Sequence, residues 1–418
     1  MDSEATATSA QLQQPTAKNL VAEVLKDPSL HDRLRARRTR LGIGLEQCIQ
    51  AAVAVPEGEA CLFAGDEDCF ETFRELFDVV IARLHGLLPA GEVVCSSRPS
   101  NRGSGGEAPR LRHRLDPTGQ IIQSVEVRAF RNVSGFPFPA ASTRESRAEL
   151  EMQMAKAFRG LAPAFTGVYL PLRQSSSYAP RLGGMDEFEE ARLKAAGLHF
   201  GLPSDRSRLA SGAFGDWPHG RGVFASTSRD LAIWTNHEEH LTVLSVVAGD
   251  GLSKAYRTLR LALEGLSEIL RRRRPGEEAF AYSERLGFLT SDLLRLGGTL
   301  QANLVLKLPR LAATEVSHPK SAAGSWRSWA GLRRVKVEEV SGLGGTFRIS
   351  NLDTFGATDA EVLASLEEVA FRLVVAEQQI TTLTVDSDQL FPILTSVLSA
   401  AEGRESRTSL LSEHVIWF

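Results

Sequence analysis

The feature that most constrains this chain is a break in its hydrophobic pattern. Ser96 to Arg114 is rich in Ser, Gly, Arg and Pro and has no apolar period, which marks a linker or exposed loop and the best domain boundary. Before it, apolar residues recur at helical spacing. Leu20, Val21, Val24 and Leu25, then Leu30 and Leu34, predict short helices, and Phe73, Leu76, Phe77, Val80, Ile81 and Leu84 form one face of a longer one. After it, strands mix with helices. Leu241–Val247, Asn303–Leu308 and Thr346–Ser350 are short β-branched runs. Leu259, Leu263, Leu266 and Leu270 mark a helix ending in Arg271 to Arg274 before Pro275-Gly276. Those arginines could bind phosphate, but cations in a last turn suit the helix dipole, and that is the better reading. Thr358-Asp359-Ala360-Glu361 has capping-box spacing and opens a helix carrying Val362, Leu363, Leu366, Val369, Leu373 and Val374 on one face.

The expected fold class is therefore α+β. A tail over 1–17 is polar and expected to be disordered, a small all-helical domain spans 18–95, the linker 96–114, a larger α+β domain 115–380 and an extension 381–418. Charge excludes one function class: Lys and Arg number 48 against 51 Asp and Glu, a net charge of −3, so no surplus of cations is available for sequence-independent nucleic-acid binding. No apolar run reaches the roughly 20 residues that span a bilayer, so no membrane is expected. Asp2 and Glu4 without an apolar stretch argue against a leader. Cys48, Cys61, Cys69 and Cys95 lack paired Cys-x-x-Cys spacing and read as free thiols in a reducing compartment. A cytoplasmic location follows as the expectation.

Several separated segments then occur in a familiar order. They include Ala64-Gly65-Asp66-Glu67, Phe73 through Asp78, His85-Gly86, Leu115-Asp116-Pro117 and Ser124-Val125-Glu126-Val127-Arg128. Beyond these come Leu209 to Gly212, Asp216-Trp217-Pro218, Gly220-Arg221-Gly222, Trp234, Asn236, Glu238 to Leu241, Lys307-Leu308-Pro309 and Ile349-Ser350-Asn351. In this the chain resembles the ATP:guanidino phosphotransferases, the phosphagen kinases, and creatine kinase most closely, from about Ala17 to Gln379. The resemblance implies a mainly antiparallel sheet flanked by helices, a homodimer, Mg-ATP or Mg-ADP as cofactor, and transfer of the ATP γ-phosphoryl to a guanidinium nitrogen. Such chemistry depends on arginine forks around the phosphates and on carboxylates that orient the guanidinium.

Residue by residue, the likeness thins at the site. Where the family reads Ser-Ser-Arg-Val-Arg, Glu126 replaces the first arginine and Arg128 keeps the second. In the family's Asn-Glu-Glu-Asp-His-Leu-Arg, His237 replaces one carboxylate, Glu238 is retained, and Thr242 replaces an arginine. Asp292 stands for the reactive cysteine, Gln301 for a further arginine, and Val305 for a histidine near the nucleotide. The glycine-rich mobile loop corresponds to Arg333–Glu339, which keeps Arg333 but no glycine. His199 resembles a residue of a segment that approaches the nucleotide, with a half-buried structural histidine as the equal alternative.

Local readings temper these roles. Trp217-Pro218, Trp234 and Gly220-Arg221-Gly222 suit packing and turns before catalysis. Glu238 suits a solvated carboxylate at a strand start as well as it suits a guanidinium partner. His237 and His240 lack a third metal ligand, so no metal is expected, and Gly342 to Gly345 reads as a turn into the next strand. Two functions remain open: a catalytically impaired pseudoenzyme serving as a structural or binding subunit, or an active transferase using creatine with Arg131, Arg295 or Arg334 as substitutes. The extension, with Leu390, Phe391, Ile393, Leu394, Val397 and Leu398 and the end Val415-Ile416-Trp417-Phe418, is either a protein-partner anchor or folded back on its domain.

Overall fold

The computed structural model describes residues 19–58, 61–87, 93–95, 111–112, 114–317 and 326–382. The tail 1–17, most of the linker 96–114 and the extension from 383 lie outside the described residues.

The chain begins with helices α1 (Leu20–Val24), α2 (Pro28–Arg35), α3 (Leu45–Ala54), α4 (Cys69–Thr72) and α5 (Arg74–Leu84). Local chemistry starts the first two. Asn19 accepts from the Ala22 N–H at 3.0 Å, and Asp27 accepts from the Ser29 N–H at 3.0 Å with Pro28 at the first helical position. Their apolar faces meet in a core containing Leu34, Leu45, Ile49, Phe70, Phe73 and Phe77. That core is completed from the second domain by Phe138, Leu289, Leu293, Leu296 and Phe355.

The second domain supplies strands β1 (Ile122–Arg131), β2 (Gly167–Pro171), β3 (Gly222–Ser226), β4 (Leu231–Thr235), β5 (Leu241–Ala248), β6 (Tyr282–Ser283), β7 (Gly287–Phe288), β8 (Leu300–Lys307), β9 (Val335–Glu339) and β10 (Thr346–Asn351). Its helices are α6 (Arg144–Phe158), α7 (Glu187–Ala195), α8 (Arg206–Leu209), α9 (Leu252–Arg273), α10 (Pro309–Ser317), α11 (Trp326–Leu332) and α12 (Asp359–Thr382). Eight strands form one sheet, β2-β3-β4-β5-β1-β8-β10-β9, in which every neighbouring pair is antiparallel. The expected α+β architecture is thus present, with the Leu241 and Leu300 strands flanking β1 in the same sheet.

One face of the sheet packs on α9 and α12. Val125, Val127 and Ala129 of β1 and Ala302, Leu304 and Leu306 of β8 meet the stripe Leu259, Leu263, Leu266 and Leu270 and the stripe Leu363, Leu366, Val369 and Leu373. At α12 the capping box forms, the Thr358 N–H reaching a Glu361 oxygen at 2.8 Å and the Glu361 N–H reaching Thr358 Oγ1 at 3.2 Å. Arg271 to Arg273 occupy the last turn of α9 and Arg274 caps it. Among the described residues, the opposite face is covered over β2 to β5, where Leu170, Val223, Trp234 and Leu244 pack on Met185, Leu193, Leu198 and Phe200. Strand β4 is consequently buried on both faces, so simple alternation fails there.

Two stretches differ from expectation. The segment likened to a mobile loop runs into β9, paired with β10 through a turn at Gly342–Gly345. Val335 and Val337 alternate with Lys336 and Glu338, and β-branched residues at period two favour a strand. The end of the linker is docked: the Arg112 guanidinium lies 4.0 Å from the Phe371 ring centroid and 3.0 Å from Glu368. The four cysteines are buried free thiols. No described helix is long and apolar enough to cross a membrane.

Candidate functional site

The uncovered half of the second sheet face is polar because of strand period. On β1 the apolar Val125 and Val127 point to the helices, so Ser124, Glu126, Arg128 and Phe130 share the other side. The ladder then lays out rows. Glu126 is opposite Asn303, which is opposite Ser350, which is opposite Lys336. Arg128 is opposite Gln301, while Ser124 leads through Val305 to Arg348 and Glu338. Together with residues 195–197 at the end of α7 these rows floor a cleft of about 580 Å³.

The charges in this cleft largely answer one another. Arg128 Nε donates to Glu126 Oε1 at 2.8 Å, its Nη2 reaches the same oxygen, and Asn303 Nδ2 donates to it at 3.0 Å. Lys336 lies 2.7 Å from Glu338. Arg348 has no carboxylate partner among the described residues.

A second cluster lies beyond Phe130. After β4 the chain turns through Asn236, whose left-handed φ of 54° and bonds to the carbonyls of Arg147 and Gly220 fix the turn. Glu238 follows. A 3-10 turn, Leu293–Arg295, stands against it, begun by Asp292, whose carboxylate accepts from the Leu294 N–H at 3.1 Å. Arg295 pairs with Glu238, sits 3.6 Å from Asp292 and lies 4.1 Å from the Phe130 ring centroid. Arg208 of α8 reaches Asp292 at 3.2 Å and Glu238 at 3.6 Å. Burial would raise the Glu238 carboxyl, but the Arg295 charge, with His237 and Arg208, holds it below the ordinary carboxylate range. Burial pushes neighbouring Glu239 up to about 7 against the Arg295 charge and the N–H groups of Ser291, Asp292 and Asn132.

The residues singled out from sequence fall into groups. Glu126, Arg128, Gln301 and Val305 line the cleft, while Glu238 and Asp292 share the carboxylate cluster. Glu238 is buried and doubly paired, which corrects the solvated alternative. His237 turns its Nε2 to the Gly201 carbonyl at 3.2 Å and packs on Phe200, Phe214 and Trp234, and burial lowers it to about 4. Thr242 is fully buried. His199 stacks on Phe200 with Nε2 3.9 Å from Glu190, and Arg333 lies 4.3 Å from the Trp329 ring centroid; neither lines the cleft. His240 accepts from the Val133 N–H and donates to the Pro137 carbonyl, so both its nitrogens are engaged with backbone.

The substitutes weighed from sequence are engaged elsewhere. Arg131 is enclosed 3.5 Å from the Phe288 ring centroid, Arg334 forks onto Asp353, and Arg295 holds Glu238. Sequence reasoning missed Arg208, Lys336, Arg348 and Asn303. The period-two pattern of Thr346–Asn351 and Val335–Glu339 carries the signal for Lys336 and Arg348, whereas nothing local marks Arg208.

The architecture is a helical domain set against an open antiparallel sheet. Residues 15–82 match the ATP:guanido phosphotransferase N-terminal domain and residues 162–380 the ATP:guanido phosphotransferase C-terminal catalytic domain. The chain belongs to the ATP:guanido phosphotransferase family. It is 29% identical over 363 residues to an arginine kinase of Procambarus clarkii, across 87% of this chain and 93% of that one. It is 29% identical over 347 residues to the M-type creatine kinase of Gallus gallus, across 82% and 84%. The duplicated taurocyamine kinase of Schistosoma mansoni with bound transition state analog components superposes with a TM-score of 0.72 at 26% identity, over 89% of this chain and 48% of that one. This chain spans about half the length of that duplicated enzyme. Lombricine kinase shares the fold at a TM-score of 0.75 and 24% identity, over 91% of this chain and 98% of that one.

Proposed function

We propose that this chain keeps the family scaffold while phosphoryl transfer is weak or absent, and that it serves, as a cytoplasmic homodimer, a structural or binding role. The observation that carries this reading is the Glu126–Arg128 pair on the cleft floor. The retained phosphate-facing arginine is turned onto a carboxylate of its own chain. A triphosphate must then compete with that carboxylate and also meet its repulsion. Losing a single charge-stabilising contact typically costs about 2.7–4 kcal/mol of barrier. The cleft suits a nucleotide in volume, but two of its three cations, Arg128 and Lys336, are held by Glu126 and Glu338. Among the described residues no cluster of three His, Cys, Asp or Glu is arranged for a metal.

The test is phosphoryl transfer from Mg-ATP to creatine, arginine, taurocyamine and lombricine. Turnover within about tenfold of an active family member overturns the reading. The second reading, an active transferase acting on creatine, is favoured by one observation, the ionised and buried Glu238. It requires Arg348, the cation without a carboxylate partner, to supply the phosphate contact, so that Arg348→Ala would abolish turnover.

A further inference from the structure

Among the buried ion pairs of this molecule, the one at Glu238 has an unusual composition. A planar guanidinium lies between two carboxylates above an aromatic ring: Arg295 against Glu238 and Asp292, over Phe130. The side chains are 13%, 10% and 7% exposed for Arg295, Glu238 and Asp292. Each element of this arrangement recognises a guanidinium specifically: carboxylates match the N–H fork, and an aromatic face attracts a delocalised cation. One guanidinium nitrogen, Arg295 Nη1, is buried without a hydrogen-bond partner among the described residues, so the fit is that of a ligand held mainly by one edge and one face. The position matters as well. Phe130, under the guanidinium, follows the cleft-lining Arg128 on the same side of β1.

We propose that Glu238, Asp292 and Phe130 form a guanidinium-binding site whose occupant is the chain's own Arg295, so that small guanidino compounds are excluded from it. The inference rests on the proposed function in one respect, that a guanidino acceptor would sit against these carboxylates. Arg295 fills the site as a tethered ligand, and tethering gives it an effective concentration that a free guanidino compound at millimolar levels does not match. Removing the side chain leaves Glu238 and Asp292 with Arg208 as their remaining guanidinium partner, beside a vacancy with the shape of a guanidinium over Phe130.

The experiment uses the full chain without nucleotide. Wild type and Arg295→Asn are titrated with methylguanidine, following thermal stability and heat of binding, with equal concentrations of sodium chloride and methylamine as controls for ionic strength and simple cation binding. The expected result is saturable binding to Arg295→Asn, no saturable binding to wild type up to at least about tenfold the concentration that half-saturates the variant, and loss of the variant's binding when Glu238→Gln is added. Equal binding by wild type, no saturable binding by the variant, or a gain that survives Glu238→Gln overturns the proposal. Arg295→Gln, which keeps a planar group over Phe130, replaces Arg295→Asn if the latter does not fold. The wild-type titration needs no variant, and saturable methylguanidine binding there is sufficient to overturn the proposal. An ATP-consuming wild type that ignores methylguanidine removes the proposed function and leaves this inference standing. An inactive wild type that binds methylguanidine does the reverse.

Discussion

At the scale of the residue, the charges of the cleft and the carboxylate cluster explain what the side chains can and cannot do. Glu238 faces Arg295, Arg208 and His237, with Asp292 and Glu239 close by. Its folded-state pKa lies below the ordinary 4.5, so the unfolded chain binds the extra proton as pH falls. The stability Glu238 contributes is present above about pH 4.5 and is lost as pH falls through the folded value. Glu238→Gln should therefore lower stability at pH 7 by about 3–5 kcal/mol, the loss typical of breaking a buried pair, and flatten the acid limb of a denaturation series below pH 4.5. An unchanged acid limb would show that the pair does not control it. On the cleft floor, Glu126→Arg with Gln301→Arg should tighten Mg-ADP by at least about tenfold in calorimetry, since each adds a charged donor beside Arg128. Thr242→Arg should destabilise instead, because that position is fully enclosed. Glu126 and Arg128 were legible through the family's Ser-Ser-Arg-Val-Arg order, while their place side by side on one face follows from the strand β1, which was not read from the sequence. The burial of Glu238 was not legible, because it depends on a 3-10 turn far along the chain.

At the scale of the element, local devices are the parts a sequence displays most openly. The capping box at Thr358 and the leucine stripe of α9 involve residues three or four apart and need no knowledge of the rest of the molecule. Thr358→Ala should cost about 1 kcal/mol in chemical denaturation, as cap losses do. A null effect would mean that packing alone holds the start of α12. Strand β9 shows the opposite case. Likeness to relatives reads Arg333–Glu339 as a mobile loop, whereas its own alternation of valine with charge favours a strand, and the pairing with β10 follows the local chemistry. Where a family resemblance and the physical pattern of the residues disagree, the residues decide the backbone. Strand β4 was hidden for another reason: both of its faces are buried, which erases the period that alternation relies on.

At the scale of the whole molecule, the helical unit and the sheet unit share hydrophobic surface. Ser291 Oγ donates to the Ala64 carbonyl at 2.8 Å and the Ala64 N–H to the Ser291 carbonyl at 2.9 Å, so a backbone seam accompanies the shared core. The two units should unfold together. Trp217, Trp234, Trp326 and Trp329 lie in the sheet domain and none lies in α1 to α5, so tryptophan fluorescence does not follow the helical unit, whereas far-ultraviolet circular dichroism also reports α1 to α5. The two transitions should coincide in wild type, and Leu289→Ala should shift both by the same amount. A fluorescence transition that lags the dichroism would show that the helices melt alone. The shared core also has a consequence for how the chain is made. Helix α5 ends at Leu84, but Phe355, which closes its core, is made 271 residues later (355 − 84). At about 5–20 residues per second the helical unit waits some tens of seconds with that surface uncovered, which makes the nascent chain a client for whatever shields apolar patches during translation.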